Sequence, residues 1–455
     1  MKLKKSPGAI ERRAHVAERK WRQRRSWVRE ETCNQRHRTG LYSGIIIAQP
    51  HCPDKPGRAA GPAGGRDPEK QSILMKSIHE LLEIAMQSRA SDLILKAETP
   101  PALRIDGRIQ VRPELGALTP SDLHELAMSI LYSATRDNLI RHGDSAGFEE
   151  REGQSADDKM QQLLHQNEVD AVFTVAGLVR VRTNLFLQRG AIGAVLRIIP
   201  LRPYSIDELL LPKVLKDVAL QPQGLVLVTG PTGSGKSTTL AALVDHIAEK
   251  RQANIVTIED PIEYVFEDKN SIVNQREIGS DTKSFAAALR SVMRQTPDVI
   301  VIGEMRDVDT MRVALGAAEI GHLVISTLHT VSAVGTVDRM LNAFPPHERD
   351  QVRDQFAQTL SCVVSQRLVH RASGVGRVPA VEVMTGSPTI KKQIEEGDTG
   401  DLYASMREGT HFGMNTLNQA LQSLFQNKTI TMDEALAATN NPTELRQMLR
   451  SSSRA

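Results

Sequence analysis

The residues best suited to chemistry are Gly230, Pro231, Thr232, Gly233, Ser234, Gly235, Lys236 and Ser237, followed by Thr238. Their spacing is G-x-x-x-x-G-K-[ST], the phosphate-binding loop. Glycines let backbone N–H groups close around phosphate oxygens, Lys236 brings positive charge to the β- and γ-phosphates, and the Ser237 hydroxyl suits Mg²⁺. The apolar run Leu225-Val226-Leu227-Val228 before the loop reads as a buried strand. Thr238 to Glu249 after it reads as a helix whose N-terminus faces the anion. A glycine-rich turn without a ligand would need neither flank.

Two carboxylates stand where such a loop needs them. In open parallel sheets ligands bind beyond the carboxyl ends of the strands. The strand candidate Ile255 to Ile258 runs into Glu259-Asp260-Pro261-Ile262-Glu263, and Val299 to Ile302 into Gly303-Glu304-Met305-Arg306-Asp307. Hydrolysis of a nucleoside triphosphate needs one carboxylate to orient water and another to help hold Mg²⁺ through its water shell. Glu259 and Glu304 suit these roles, with the division between them open. His322 and His329 flank a fourth strand candidate, Leu323 to Thr327. Extended chain keeps them too far apart to share a metal ion. Each reads either as a core histidine or as a nucleotide sensor or subunit contact. Met293, Met305 and Met311 read as packing or surface.

The elements that must position these groups divide the chain. Residues 207–385 alternate short apolar strands with helical stretches, as a parallel sheet covered on both faces requires, and Val378 to Met384 reads as an antiparallel edge. Residues 75–199 read as a smaller α+β domain. It opens with a helix bearing Ile78, Leu81, Leu82 and Ala85, then a strand at Ser91 to Lys96. A hairpin follows, Ala102 to Ile105 and Arg108 to Val111, turned by Asp106-Gly107. Thr119-Pro120-Ser121-Asp122 opens a second helix. Gly143 to Gln166 reads as loop plus helix, and Ala171 to Thr174, Leu178 to Phe186 and Ala194 to Ile199 as strands. Residues 200–206 form a linker stiffened by Pro200 and Pro203. Residues 386–455 are helical, over Pro388 to Glu396, Leu402 to Arg407, Asn415 to Gln426 and Met432 to Ala438, the last capped by Thr431 with Glu434 three residues on.

The net charge of +3 hides an asymmetry. Residues 1–74 hold 17 Lys/Arg against 7 Asp/Glu, and the rest of the chain 40 against 47. The leader reads as disordered. It is a solvated tail, a basic arm with Trp21 and Trp27 for nucleic acid or an anionic membrane, or a stretch upstream of a translation start at Met75. The acidic body lacks the basic stripe of a nucleic-acid motor, so no nucleic acid is expected as a partner. Cys33, Cys52 and Cys362 form neither a C-x-x-C pair nor a disulfide framework, which points to a reduced, intracellular protein. No run approaches 18 apolar residues, so no membrane span is expected.

In this order, GLVLVTGPTGSGKSTTLAAL, TIEDPIEYV, DVIVIGEMRD and GHLVISTLHT resemble the Walker A, Asp box, Walker B and His box of the secretion and pilus motor ATPases, specifically the PilT-like retraction ATPases of type IV pili. SDLILKAETPPALRIDGRI and GLVRVRTNLFLQRG are similar to that family's N-terminal domain, and GMNTLNQAL to its C-terminal helical region. The resemblance implies a RecA-like ATPase domain, a PAS-like N-terminal domain, and a homohexameric ring with ATP between neighbours. Mg²⁺ is implied at Ser237 and, through water, at Glu304. By the same resemblance Glu259 activates water, Glu304 is the Walker B glutamate, and His322 and His329 couple the nucleotide to the interface. Arg104, Arg180 and Arg182 become candidates for reaching a phosphate in trans. The implied function is ATP hydrolysis driving pilus retraction and twitching motility, in the cytoplasm against an inner-membrane platform protein, with a paralogous pilus ATPase as a further partner.

Two departures qualify the resemblance. Thr389 to Glu396 keeps the apolar spacing of an AIRNLIRE-like helix but loses its arginines, and the stretch to Met448 is closer to the accessory PilU-like paralogues. Assembly and type II secretion ATPases, which usually carry a tetracysteine zinc module, are the other alternative. Family members also begin near MKSIHELLEIAMQSRASDL, hence the expected start at Met75.

Overall fold

The computed structural model describes residues 77–142 and 155–452, which belong to one compact unit, Ser72–Ala455. The leader, the start at Met75 and residues 143–154 lie outside the described residues, as do the readings made of them.

Two sheets organise this unit. The first comprises β1 (Asp92–Leu95), β2 (Ala102–Ile105), β3 (Arg108–Val111), β4 (Glu168–Val175), β5 (Val179–Gln188) and β6 (Ala191–Ile199). It is antiparallel throughout, in the order β3-β2-β1-β6-β5-β4. Asp106 and Gly107 hold φ values of 50° and 84°, the pair of positive angles that a two-residue type I′ hairpin demands. The helix Ile78–Gln87 starts from a capping box, Ser77 with Glu80, and Pro120–His142 from Thr119, whose Oγ1 accepts from Asp122 N at 3.2 Å. With the helix Ala156–Gln166 they bury Leu82, Leu123, Ile130 and Leu163 against Leu93, Val181, Leu185 and Leu196 on one face of the sheet. Successive strand residues point to opposite faces, so the other face receives the polar set. There Arg104, Asp92, Arg197 and Arg182 stand side by side across β2, β1, β6 and β5.

The second sheet comprises β7 (Gly224–Thr229), β8 (Asn254–Glu259), β9 (Ile272–Glu277), β10 (Val299–Ile302), β11 (Leu323–Leu328), β12 (Leu360–His370) and β13 (Arg377–Thr385). Its order is β13-β12-β7-β11-β10-β8-β9, with all neighbours parallel except the β12–β13 hairpin. Both faces are covered, as parallel sheets require. Val226, Val228, Ile255 and Ile325 pack with Leu243, Val244 and Ile247 of the helix Lys236–Lys250. Leu225, Leu227, Ile258, Ile300 and Val324 pack on the other side with Leu289, Leu315 and Val337, from the helices Phe285–Val292, Val308–Glu319 and Ala333–Asn342. Met305 and Met311 lie in that core and Met293 packs partly buried against it.

The four expected parallel strands and the antiparallel edge are present, and β9 and β12 are additions. The sequence of β9, Ile-Val-Asn-Gln-Arg-Glu, is mostly polar because it is an edge strand. β12 follows the helix Arg349–Thr359 with no turn residue between them. The expected C-terminal helices are found as Pro388–Glu396, Leu402–Glu408, Leu417–Gln426 and Met432–Ala438, and Pro442–Ser452 adds one more. Leu417, Leu421, Ala435 and Leu445 cover Val369, Val378 and Ala380 of the β12–β13 hairpin. Among the described residues no helix is long and apolar enough to cross a membrane.

Candidate active site

The loop between β7 and the helix Lys236–Lys250 is built for close backbone approach. Gly230 has φ 144°, and a Cβ there would lie 2.4 Å from the Gln366 carbonyl oxygen. Gly235 is the helix N-cap with φ 91° and supplies no side-chain cap. The first helical N–H groups therefore keep their hydrogen-bonding capacity for an anion. Gln366, buried in β12, braces the loop: its Nε2 donates to Ser234 O at 2.7 Å, and its Oε1 accepts from Thr239 Oγ1 at 2.9 Å.

Lys236 is folded back on the loop, its Nζ donating to Gly230 O at 2.9 Å and Pro231 O at 3.1 Å. Burial lowers its pKa, and the Glu304 carboxylate opposes that shift. The buried hydroxyls of Ser234 and Thr229 have no hydrogen-bond partner. A cradle of donors without a protein acceptor is what a phosphate completes.

Parallel register lines up Ile258, Ile302, Ser326 and Leu227 across β8, β10, β11 and β7. The two carboxylates therefore leave the same sheet edge as the loop. Glu259 ends β8; its Oε1 accepts from Thr257 Oγ1 at 2.6 Å and Gln275 Nε2 at 3.0 Å. Burial pushes its pKa up to about 6 despite those two donors. The turn after it is held from three sides. Ile262 N donates to Glu277 at 3.0 Å, Arg180 Nη2 donates to Ile262 O at 3.2 Å, and the Tyr264 hydroxyl donates to Thr238 Oγ1 at 3.3 Å. Glu304 follows β10, whose tip is pinned to β11 by Thr327 Oγ1 donating to Gly303 O at 2.7 Å and Met305 N donating to Thr327 O at 3.1 Å. Its carboxylate pairs with Arg306 and lies 3.2 Å from His329 Nε2.

The structure thus brings Lys236, Glu259, Glu304 and His329 to one edge and separates His322 from them. His322 precedes β11 at the opposite end of the sheet, its Nδ1 2.8 Å from Pro297 O. The arginines also divide. Arg180 is 2% exposed and rests on its own chain's Asp box, with Nε and Nη1 lacking hydrogen-bond partners. Arg104 remains 39% exposed beside Asp92, at 3.3 Å, and Arg182 is half-buried in the same row.

Sequence reasoning passed over several residues that shape the site. Gln366, Thr257 and Gln275 are single polar residues inside strands, with no spacing to mark them. Arg197, 55% exposed and 3.3 Å from Asp92, extends the arginine row. A strand register was the signal that would have found it.

The type II/IV secretion system protein family matches residues 195–450. The type IV pilus retractation ATPase PilT of Pseudomonas aeruginosa is 42% identical over 358 residues, covering 79% of this chain and 96% of its own. The type IV pilus ATPase PilU of the same organism is 34% identical over 371 residues, covering 82% and 91%. A crystal structure of the pilus retraction motor PilT with bound ADP matches with a TM-score of 0.69 at 41% identity, covering 82% of this chain and 100% of that one.

Proposed function

The chain belongs to the type II/IV secretion system protein family, and on that premise we propose that it is a PilT-like motor ATPase that drives type IV pilus retraction. The observation that carries this reading is the convergence at one sheet edge of an uncapped helix start, a lysine held only by loop carbonyls, and two strand-tip carboxylates.

The residues have separable tasks. Lys236 exchanges the Gly230 and Pro231 carbonyls for phosphate oxygens, and the loop N–H groups hold the same charge. Glu259, titrating at about 6, is ionised at neutral pH and basic enough to orient water and take its proton. Glu304 is kept in place by Arg306 and His329. The exposed Ser237 hydroxyl and, through water, Glu304 suit Mg²⁺, which when bound neutralises charge on the β- and γ-phosphates. Arg104, Arg182 and Arg197 face outward from their sheet and suit a neighbour's phosphate in a homohexamer. Arg180, committed to its own Asp box, does not. We place the working ring in the cytoplasm against an inner-membrane pilus platform protein, and take 75–199, 207–385 and 386–455 as its three functional parts.

An accessory, PilU-like role is the second reading, favoured by the stretch after the helix Pro388–Glu396, up to Met448, and by that helix's having Lys391 and Glu395 where an AIRNLIRE-like helix has arginines. Deletion of the gene tests the main reading: surplus surface pili that fail to shorten support it, and bare cells contradict it. ATP turnover by the purified ring alone separates a motor from an accessory subunit.

A further inference from the structure

Glu382 is a carboxylate that the hydrolytic reaction leaves unused. It lies on β13, 4% exposed. Its two oxygens accept from the starts of two different helices: Oε1 from Ala333 N at 2.6 Å and Oε2 from Leu417 N at 3.1 Å. Taking a carboxylate out of water is costly unless its lone pairs are met, and helix N-terminal donors meet them. Each helix already has its own cap. Ser332 Oγ accepts from Gly335 N at 3.1 Å, and Thr416 Oγ1 from Gln419 N at 3.3 Å. What Glu382 adds is a tie between the two helix starts.

The tied elements have different duties. The helix Ala333–Asn342 follows closely on His329, which holds Glu304, and the intervening loop is fixed by the Thr330 and Thr336 hydroxyls, 2.6 Å apart. The helix Leu417–Gln426 opens the last C-terminal layer, and its lead-in is sewn to β13. Val383 N donates to Asn415 O at 2.9 Å, Asn415 N to Val383 O at 3.1 Å, and Asn415 Nδ2 to Val381 O at 2.6 Å. The GMNTLNQAL motif is therefore the segment that engages Glu382. A second strut runs parallel: Arg367 Nη1 donates to Ala438 O at 2.6 Å and Nη2 binds Asn440, whose amide reaches Val331 O at 3.5 Å.

We propose that Glu382 is a positioning residue that couples the C-terminal helices to the hydrolytic centre, by setting the start of the helix Ala333–Asn342 and with it His329 against Glu304. This rests on the reading of Glu304 as part of that centre. A partner that displaces the C-terminal helices would pull on Leu417 and, through Glu382, loosen His329 from Glu304. The C-terminal layer then gates turnover without touching nucleotide.

Two substitutions cut the tie by different routes. Ala333→Pro removes one donor where proline is tolerated, at the first helical position, and Ser332 already has the φ −154°, ψ 159° that a residue before proline needs. Glu382→Gln keeps the shape but turns an amide donor toward an N–H group. After wild-type ATP turnover is established, each variant is expected to lower kcat about tenfold with KM within about twofold. Neither should lower kcat further when added to His329→Ala. Unchanged kcat, or losses that multiply with His329→Ala, would overturn the proposal. Hydrogen exchange on the wild-type ring needs no substitution: ADP should change protection of the Ala333 and Leu417 amides together. Exchange at Leu417 indifferent to ADP would overturn the tie even where a variant fails to fold. A wild-type ring without ATPase activity would instead sink the parent reading.

Discussion

The two ends of β11 present the same residue type to opposite effect. At the amino end His322 meets a carbonyl, Pro297 O, and neighbouring groups are likewise met by scaffold: Asn254 N donates to Asp298 at 2.8 Å and Asn254 Nδ2 to Gln295 O at 2.7 Å. At the carboxyl end His329 meets an ionisable partner, Glu304, beside a lysine parked on loop carbonyls and two buried hydroxyls without partners. A finished hydrogen-bond network marks scaffold, and an unfinished one marks a surface that a ligand completes. The sheet is thus polarised along its strands, with hydrogen bonds completed at one end and buried hydroxyls left unmet at the other.

Substitutions should reproduce that polarity. Lys236→Ala removes the charge at the phosphates and is expected to lower ATP turnover by about a thousandfold or more, measured as phosphate release. Glu259→Gln, which keeps the size but cannot take a proton, should cost about a hundredfold. His329→Ala should cost about tenfold, through a loosened Glu304, whereas His322→Ala should leave turnover unchanged and lower stability by about 1 kcal/mol, the worth of an ordinary hydrogen bond. Equal loss of turnover at both histidines would erase the distinction between the two ends.

The pH profile sharpens the comparison further. Because burial raises Glu259 to about 6, turnover should fall as pH drops through that value, where the carboxylate gains a proton. Stability runs the other way: the folded chain holds this proton more tightly than the unfolded one, so the group's contribution weakens as pH rises from about 4.5 toward 6. Thr257→Val, which removes a donor to the carboxylate, should move the acidic limb upward by less than about one unit. A limb that stays put would deny Glu259's environment its part in setting the base.

How much of this was legible in the chain follows from how local each signal is. The phosphate loop, the Asp106-Gly107 turn and the apolar strands that lead into Glu259 and Glu304 are written in consecutive residues, and all were readable. Arg180 was readable as an arginine near a strand but not as one turned inward, because Ile262 lies 82 residues away in the chain. The same holds for Gln366, 127 residues from Thr239, and for Glu382, whose two donors come from separate helices. His322 and His329 read alike because the resemblance gives them one shared role; the rule that ligands bind beyond the carboxyl ends of parallel strands, applied to Leu323 to Thr327, already favours His329 alone.

The most direct test of the central claim is Glu304→Gln, assayed for both ATP binding and phosphate release by the purified ring. ATP retained at wild-type affinity with phosphate release reduced by about a hundredfold or more is the predicted result. Phosphate release at the wild-type rate would contradict the assignment of hydrolysis to this edge of the sheet.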